Sequence, residues 1–178
     1  MTQIDISKCK ITHYPADVIK AKAAPIEEIN DNTRQLVEKM IDIMIENRGM
    51  GLAGPQAGVG LQIFIISIDA TRENVRVYIN PTVTPTGSSL ISVEEGCLSV
   101  PSINASIKRH CRCTVTATDL DGKTFTEEAD ELYARCLQHE YDHLQGMTIA
   151  DRMGSAAKII NRKKLKKLIE NNIDSPKD

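Results

Sequence analysis

The chain has 178 residues and a formal net charge of −2 at pH 7, with 41% hydrophobic and 26% charged residues. This length predicts a single domain that can bury a core of its own. The nearly balanced charge gives no overall electrostatic reason to expect a nucleic acid or a membrane as partner. Because Trp is absent and aromatic residues make up only 3%, aliphatic side chains and Met must build that core.

The ends and the cysteines predict where the protein resides. The N-terminal segment has neither the apolar core of a signal peptide nor the Arg-rich character of a transit peptide. No apolar run is long enough to span a bilayer, so we expect no membrane association. The five cysteines form no disulfide-like framework, which is typical of reduced thiols in a cytoplasmic protein.

The first half of the chain predicts one helix and two buried strands. Residues 28–48 place apolar side chains at helical spacing and end before a glycine, as amphipathic helices do. Residues 61–68 and 75–79 are short, apolar and rich in β-branched side chains, which favours strands.

The second half begins with a predicted hairpin and ends in helices. Residues 111–120 alternate polar and apolar side chains, and an Asp-Gly turn leads from them into 123–128. Residues 129–145 and a Lys-rich segment at about 155–171 return to helical spacing. Because the strands cluster between helices and short turns join them, we predict an α+β fold. Mainly antiparallel sheets should surround a central helix, and a basic helix should end the chain.

The glycine-rich segment "GMGLAGPQAGVG" (49–60) contains a literal dinucleotide-binding fingerprint at Gly49, Gly51 and Gly54. Such a fingerprint must follow a strand and open a helix, whereas this segment follows a predicted helix and precedes a predicted strand. We therefore predict a tight loop that uses glycine for unusual backbone dihedrals. A sharper hypothesis is that Gly51 lets a substrate backbone approach closely while Gln56 points its amide into a site.

The segment "LQHEYDHLQG" (137–146) places two histidines four residues apart on a predicted helix. From one helix face, His139 and His143 can reach the same metal ion, and Glu140 is placed to act on a metal-bound water. The alternative is a chance match on a polar helix face. Because a catalytic zinc-type site usually has three protein ligands and an open position for water, a third ligand is required.

Three kinds of residue are candidates for the third ligand. The longer protease motif that extends this pattern would need a histidine at Ile149, so it fails. Of the downstream carboxylates, Asp151 could equally cap a helix or pair with a cation, and Glu170 lies in the Lys-rich segment. Cys97 lies in "EEGCLSVP", which is typical of a loop that holds a thiolate toward a metal.

The remaining cysteines fit structural positions better. Cys111 and Cys113 are two apart in a predicted strand and should be small core residues on one face. Cys136 precedes the first histidine by three residues and could form a pocket wall. The residues alone therefore favour Cys97 and leave the two carboxylates open.

Three segments together resemble the motifs of one known family, the peptide deformylases. "GLAGPQ" (51–56), "EGCLS" (95–99) and "QHEYDH" (138–143) occur in the family's order and with similar separations, and the likeness extends over nearly the whole chain. The resemblance implies a metal-dependent hydrolase that removes the N-formyl group from the initiator methionine of newly synthesised polypeptides and releases formate. Residues 1–178 would then form a single catalytic domain.

The resemblance also implies a role for each residue of the centre. One ion per chain, expected to be Fe(II) with zinc, nickel or cobalt as substitutes, would be bound by Cys97, His139 and His143. The metal would lower the pKa of a bound water, and the resulting hydroxide would attack the formyl carbonyl. Glu140 would take the proton and later pass it to the leaving amine. The Gln56 amide and the backbone N–H of Leu98 would stabilise the oxyanion.

Around the centre, the resemblance implies a pocket for the methionine side chain, lined by Gly51, Glu95, Leu132 and Cys136. Glu95 would also pair with Arg109 behind the metal loop. The alternative for that pair is a surface ion pair of little energetic value.

Two positions depart from the family pattern. Gly54 stands where the family usually has Ala, which predicts a looser loop. Asn104 stands where many members have Arg, which predicts a changed hold on the peptide beyond methionine.

The predicted C-terminal helix is rich in cations, namely Lys158, Arg162, Lys163, Lys164, Lys166 and Lys167. Such a run is usually a solvated helix face. Similar tails in the family contact the ribosome, and a basic helix suits RNA phosphate. The family further implies a monomer.

Two other functions stay open. A metallopeptidase with Asp151 or Glu170 as third ligand predicts that replacing Cys97 leaves metal and activity intact. A non-catalytic metal- or ribosome-binding module predicts bound metal without turnover. That module would not need Glu140 and Gln56, and both are present.

Overall fold

The structure of the protein is a computed structural model that describes residues 4–173. Its helices are α1 (Asp17–Lys20), α2 (Asp31–Glu46), α3 (Glu131–Leu144), α4 (Ile149–Arg152) and α5 (Ser155–Ile173). Its strands are β1 (Gly51–Ala53), β2 (Ile63–Ile66), β3 (Arg76–Pro85), β4 (Leu90–Gly96), β5 (Asn104–His110), β6 (Arg112–Thr118) and β7 (Thr124–Asp130). Two short 3-10 helices occupy Ile6–Lys8 and Gly54–Ala57.

The strands form two antiparallel sheets around α3. One sheet has the spatial order β1-β2-β3-β6-β7, and β4 pairs with β5 in the other. Helix α3 contacts strands of both sheets, and α5 follows at the C-terminal end. The prediction of an α+β fold with antiparallel sheets around a central helix and a C-terminal helix is therefore confirmed. None of the helices within residues 4–173 has both the length and the apolar character that crossing a membrane requires.

Strand β2 is buried on both faces because a helix covers each side of the five-stranded sheet. Its four residues "IFII" are all buried. Ile63 and Ile65 pack with the apolar side chains of α2, whereas Phe64 and Ile66 pack with those of α3. Successive side chains of a strand point to opposite faces, so this uninterrupted apolar run marks a strand between two helix layers.

Local signals set the ends of the predicted elements. The side chain of Asn30 accepts hydrogen bonds from the backbone N–H groups of Asn32 at 3.0 Å and Thr33 at 3.2 Å. Those bonds satisfy donors that have no partner in the first helical turn, so α2 begins at Asp31 within the predicted range 28–48. The predicted hairpin is also present, since β6 and β7 pair through a turn in which Gly122 has φ +80°.

The pair β4–β5 has no counterpart in the sequence prediction. Strand β4 has no buried side chain, so its sequence lacks the alternation that marks a half-buried strand. The prediction of a loop over 94–101 is consequently wrong for its first three residues, which end β4. The loop begins at Cys97.

Two further predictions need correction. Strand β3 continues beyond the predicted 75–79 to Pro85. An irregularity between Ile79 and Thr82 interrupts its alternation, so the sequence pattern predicted only the first part of the strand. Cys111 lies at the corner between β5 and β6 and is only half-buried, so it is not a core residue. Cys113 does occupy the predicted core position.

Gly146, directly after the C-cap residue of α3, is the glycine whose replacement should be most damaging. Its φ is +73°, and a methyl carbon there would lie 2.4 Å from the carbonyl oxygen of Lys20. We expect Gly146→Ala to lower the free energy of unfolding by more than about 2 kcal/mol, because left-handed strain adds to a backbone clash. Denaturant unfolding of the purified variants measures this.

Substitutions at two other glycines separate the effect of the left-handed strain from that of the backbone clash. Gly122 has a positive φ and open space around an added carbon. Gly122→Ala should therefore lower the free energy of unfolding by the dihedral strain alone, about 1 kcal/mol. Gly154→Ala has open space and no positive φ, so it should cost a few tenths of a kcal/mol, roughly. Equal losses of unfolding free energy in the three variants would contradict the expectation that strain and clash both act at Gly146.

Candidate metal centre

Three side chains that could bind one metal ion lie together between α3 and the end of β4. The ligand atoms of Cys97, His139 and His143 are all within 4.8 Å of one another. The Cys97 Sγ lies 3.3 Å from His143 Nε2. This distance is close to the separation of about 3.5 Å expected between a thiolate sulfur and an imidazole nitrogen on one tetrahedral zinc. The donor set and its spacing therefore fit a metal ion. Within residues 4–173 no second group of this kind occurs.

Helix α3 and the sheet pair deliver the three donors from two directions. His139 and His143 lie one turn apart on α3, with ring centroids 5.1 Å apart in an edge-to-face arrangement. Cys97 follows β4 directly, and its carbonyl accepts a hydrogen bond from the backbone N–H of Val100 at 2.9 Å. This turn fixes the thiol opposite the helix.

The two carboxylates considered as third ligands lie elsewhere. Asp151 belongs to the capping box of α4 and pairs with Lys20 at 2.7 Å. Glu170 lies on α5 and pairs with Lys166 at 3.6 Å. Neither belongs to the group of three donors.

A buried ion-pair network supports His139. Glu95 Oε2 lies 3.0 Å from His139 Nδ1. Arg109 donates to both oxygens of Glu95, from Nε at 2.8 Å and from Nη2 at 2.9 Å, and from Nη1 to Asp142 at 2.6 Å. The Arg109 side chain is only 3% exposed, so the alternative of a surface ion pair is wrong.

The charges of this network shift the pKa values around it. Burial raises the pKa of Glu95, but hydrogen bonds from Arg109 and His139 outweigh it and lower the pKa to about 2. Burial likewise opposes a proton on His139, whereas hydrogen bonds to Cys97 and Glu95 raise its pKa well above the ordinary value. Burial and the nearby His139 lower the pKa of His143. A bond from His139 Nδ1–H to Glu95 leaves Nε2 as the nitrogen for a metal.

Glu140 is a buried carboxylate beside the ligands. Its Oε2 has no hydrogen-bond partner in the described part of the chain. Burial is the largest cause that raises the pKa of Glu140 to about 7. A carboxyl group with that pKa can both accept and donate a proton near neutral pH.

Glycines around this centre provide space and not unusual dihedrals. A methyl carbon on Gly51 would lie 2.4 Å from Glu140 Oε1, and one on Gly54 would lie 2.7 Å from the carbonyl oxygen of Leu61. In the segment 49–60 only Gly58 has a positive φ, of +83°. The dihedral prediction is therefore wrong for Gly51 and Gly54. Gly54 is tightly packed, and the expectation of a looser loop stays a prediction.

Gln56 and Leu98 both adjoin Cys97. The Gln56 side chain is buried, its Oε1 accepts from the backbone N–H of Ala53 at 2.8 Å, and its Nε2 lies 3.5 Å from the Cys97 Sγ. The first contact fixes which end of the amide faces the thiol. Leu98 follows Cys97 in the turn and lines the adjoining cavity.

A cavity of about 700 Å³ opens in front of these groups. Its lining includes all four residues predicted for the methionine pocket, namely Gly51, Glu95, Leu132 and Cys136. Burial raises the pKa of the Cys136 thiol to about 12, so this thiol stays neutral. The cavity wall also contains Arg48 and Arg135, which were not predicted from the sequence.

Two further members of the ion-pair network, Asp142 and Arg152, were not predicted from the sequence. Asp142 lies between the two histidines in "HEYDH", where only its neighbours carried a motif signal. Arg152 lies ten residues further on and donates to Asp142. Ion pairs between separate elements leave no periodic pattern, so no local signal could have identified Arg152.

Sequence comparisons match this chain to one family of enzymes. The family model of polypeptide deformylase matches residues 8–158. The peptide deformylase of Chromohalobacter salexigens is 38% identical over 162 residues, which cover 91% of this chain and 95% of that protein. The peptide deformylase of Thermodesulfovibrio yellowstonii is 39% identical over 159 residues, covering 88% and 96%.

Solved structures of the same kind superpose closely. The Plasmodium falciparum peptide deformylase matches with a TM-score of 0.90 at 30% identity, covering 95% of this chain and all of that one. The Legionella pneumophila peptide deformylase matches with a TM-score of 0.84 at 34% identity, covering 94% and 99%. The family model, the curated relatives and the solved structures thus agree, and the chain belongs to the polypeptide deformylase family of enzymes.

Proposed function

We propose that this enzyme removes the N-formyl group from the initiator methionine of newly synthesised polypeptides and releases formate. The observation that carries the proposal is the convergence of Cys97, His139 and His143 beside the buried carboxylate of Glu140, at the wall of an open cavity. Family membership supports the same reaction. A carboxylate-liganded metallopeptidase is not favoured, because Asp151 and Glu170 lie apart from the donors.

The proposed cofactor is one Fe(II) ion per chain, bound by Cys97, His139 and His143, with zinc, nickel or cobalt as substitutes. Two imidazoles and one thiolate suit any of these metals by ligand softness. A bound metal would polarise the formyl carbonyl and activate water at neutral pH.

The proposed roles of the other residues follow from their positions. Glu140 would accept the proton of the attacking water and pass it to the amine that leaves, which its pKa of about 7 permits. The Gln56 side-chain N–H and the backbone N–H of Leu98 would donate hydrogen bonds to the carbonyl oxygen as it becomes negative. Gln56 Nε2 lies 3.5 Å from the Cys97 Sγ, and Leu98 follows Cys97 in the chain, so both residues adjoin the same metal ligand and line the same cavity.

We propose that the methionine side chain enters the cavity beside Gly51, Leu132 and Cys136. A neutral thiol and an aliphatic side chain suit an unbranched thioether, which gains from burial away from water. Asn104 lies at the start of β5, where its Nδ2 is 3.4 Å from Glu94 Oε1. A changed hold on the peptide beyond methionine stays a prediction.

We propose a monomeric, cytoplasmic enzyme whose residues 1–178 form one catalytic domain, with α5 contacting the ribosome. In support of that contact, Ala157, Leu165 and Leu168 pack against the body of the protein, and the cations between them are exposed to solvent. Two of these cations, Lys158 and Lys164, also donate to the carbonyl oxygens of Asp151 and Ser102. A cationic helix face attracts RNA phosphates.

The direct test uses enzyme that is purified without oxygen and loaded with Fe(II). We expect formate from an N-formyl-methionyl peptide and no hydrolysis of its N-acetyl counterpart. Cys97→Ala should lose more than about 100-fold in metal affinity, together with the activity, because a ligand is removed. Cys111→Ala is the matched control and should retain both.

Other outcomes separate the rival functions. No formate, even after Fe(II) or Ni(II) is added, would contradict the proposal. Metal retained by Cys97→Ala, together with cleavage of unformylated peptides, would favour a metallopeptidase instead.

A second prediction concerns the space at Gly51. We expect Gly51→Ala to bind metal normally but to lose about 100-fold in kcat, because the added carbon displaces the Glu140 carboxylate by part of an ångström. Gly60→Ala is the control in the same segment, since its added carbon would meet nothing nearer than 3.7 Å. Steady-state kinetics and metal analysis measure both effects. Equal kcat values in the two variants would contradict the prediction.

A third prediction concerns stability and pH in the metal-free protein. The pKa of Glu140 is raised from 4.5 to about 7 in the fold. The stability that this group contributes is therefore present below about pH 4.5 and is lost as the pH rises through 7. Glu140→Gln stays neutral at every pH and escapes this loss.

Denaturant unfolding in the presence of a chelator tests that sign. The stability of Glu140→Gln relative to the unmodified protein should rise by about 2 kcal/mol between about pH 5 and pH 8. Titrating groups that do not interact with Glu140 are shared by both proteins and cancel. A difference that is constant with pH, or that falls, would contradict the raised pKa.

A further inference from the structure

A second arginine extends the charge network behind the metal ligands. Arg152, the last residue of α4, donates to both oxygens of the Asp142 carboxylate. Its Nη2 lies 2.5 Å from Oδ1, and its Nε lies 3.0 Å from Oδ2. Arg109 Nη1 donates to the same Oδ2 at 2.6 Å. The Asp142 carboxylate therefore joins two guanidinium groups.

The members of this network differ sharply in exposure. The side chains of Arg109 and Asp142 are 3% and 6% exposed, whereas that of Arg152 is 43% exposed. Buried ions that lose a partner are not compensated by water, which makes truncation of Arg109 or Asp142 severe. Arg152 alone among the three can be replaced without opening buried space.

Arg109 donates hydrogen bonds to two carboxylates at once, those of Glu95 and Asp142. Its Nε and Nη2 hold Glu95, and only Nη1 remains for Asp142. With Arg152 removed, the buried Asp142 charge would rest on Arg109 alone and would draw the guanidinium away from Glu95. Since Glu95 is the partner of His139 Nδ1 at 3.0 Å, the displacement would reach a metal ligand.

We propose that Arg152 is a positioning residue for the metal centre, acting through Asp142 and Arg109 on the Glu95 carboxylate that orients His139. Arg152 does not line the cavity, so it acts on neither substrate nor ion directly. A carboxylate that orients a ligating imidazole typically contributes 10- to 100-fold, roughly, to metal affinity. The inference rests on the proposed function in that Cys97, His139 and His143 must bind the ion.

The test is metal binding by Arg152→Met, which removes the cation and keeps the aliphatic stem. Competition with a chromophoric chelator should show a zinc Kd raised about tenfold, the lower end of the range for outer partners. The visible spectrum of the cobalt-loaded variant should change as His139 reorients. In metal-saturated enzyme, kcat should fall while KM stays unchanged. Arg152→Lys should recover part of the affinity because it restores the charge.

Arg72→Met is the matched control. Arg72 is 47% exposed and bridges the carboxylates of Glu38 and Asp42, but it lies outside the network. Arg72→Met should lose no metal affinity, although it removes an arginine that pairs with carboxylates, as Arg152→Met does. Circular dichroism confirms that each variant is folded before metal is added.

A double-mutant cycle identifies the route. If Arg152 acts through Asp142, the double variant Asp142→Asn/Arg152→Met should have the same metal Kd as the single variant Asp142→Asn. An Arg152→Met protein with the metal affinity and cobalt spectrum of Arg72→Met would overturn the inference. It would leave the proposed function intact, because the unmodified enzyme would still release formate. Absence of formate from the unmodified enzyme would overturn the function itself.

Discussion

The metal centre depends on one buried cation. Arg109 extends from β5, Glu95 from β4 and Asp142 from α3, so a single guanidinium group fastens the sheet pair to the central helix. Both carboxylates are nearly inaccessible to water, and removing the cation between them would cost about 3–5 kcal/mol. The spacing of the cysteine on one element and the histidines on the other is set by this contact.

Helix α3 satisfies two demands with one sequence. Its apolar residues Ala134, Leu137 and Leu144 cover the five-stranded sheet, while His139 and Glu140 face the cavity. The second demand has a thermodynamic cost, because Glu140 is buried without a partner for Oε2 and its pKa rises to about 7. A carboxyl group that titrates near neutrality suits proton transfer and opposes stability at the pH where the enzyme works.

The sequence predicts best what is local and periodic. The histidine pair and Glu140 lie within one helical turn, so their arrangement follows from helix geometry alone. Residue context favoured Cys97 as the third metal ligand. Only the resemblance to a known family selected it over the carboxylates of Asp151 and Glu170. The exposed strand β4 carries no alternation, and Arg152 pairs across separate elements, so neither could be predicted. Sequence also cannot distinguish a glycine needed for its dihedrals from one needed for space, as Gly51 illustrates.

The two sides of the centre are supported by different physics. Behind His139 lies the charge network, whose strength depends on exclusion of water and on complete pairing. Behind Cys97 lies an apolar cluster that contains Val100 and Ile103 and that also receives Ala157 and Leu165 of α5. Directional ion pairs fix the angle of an imidazole, which must present one particular nitrogen. A thiolate has no such choice of atom, so close packing of its loop is enough to hold it in place.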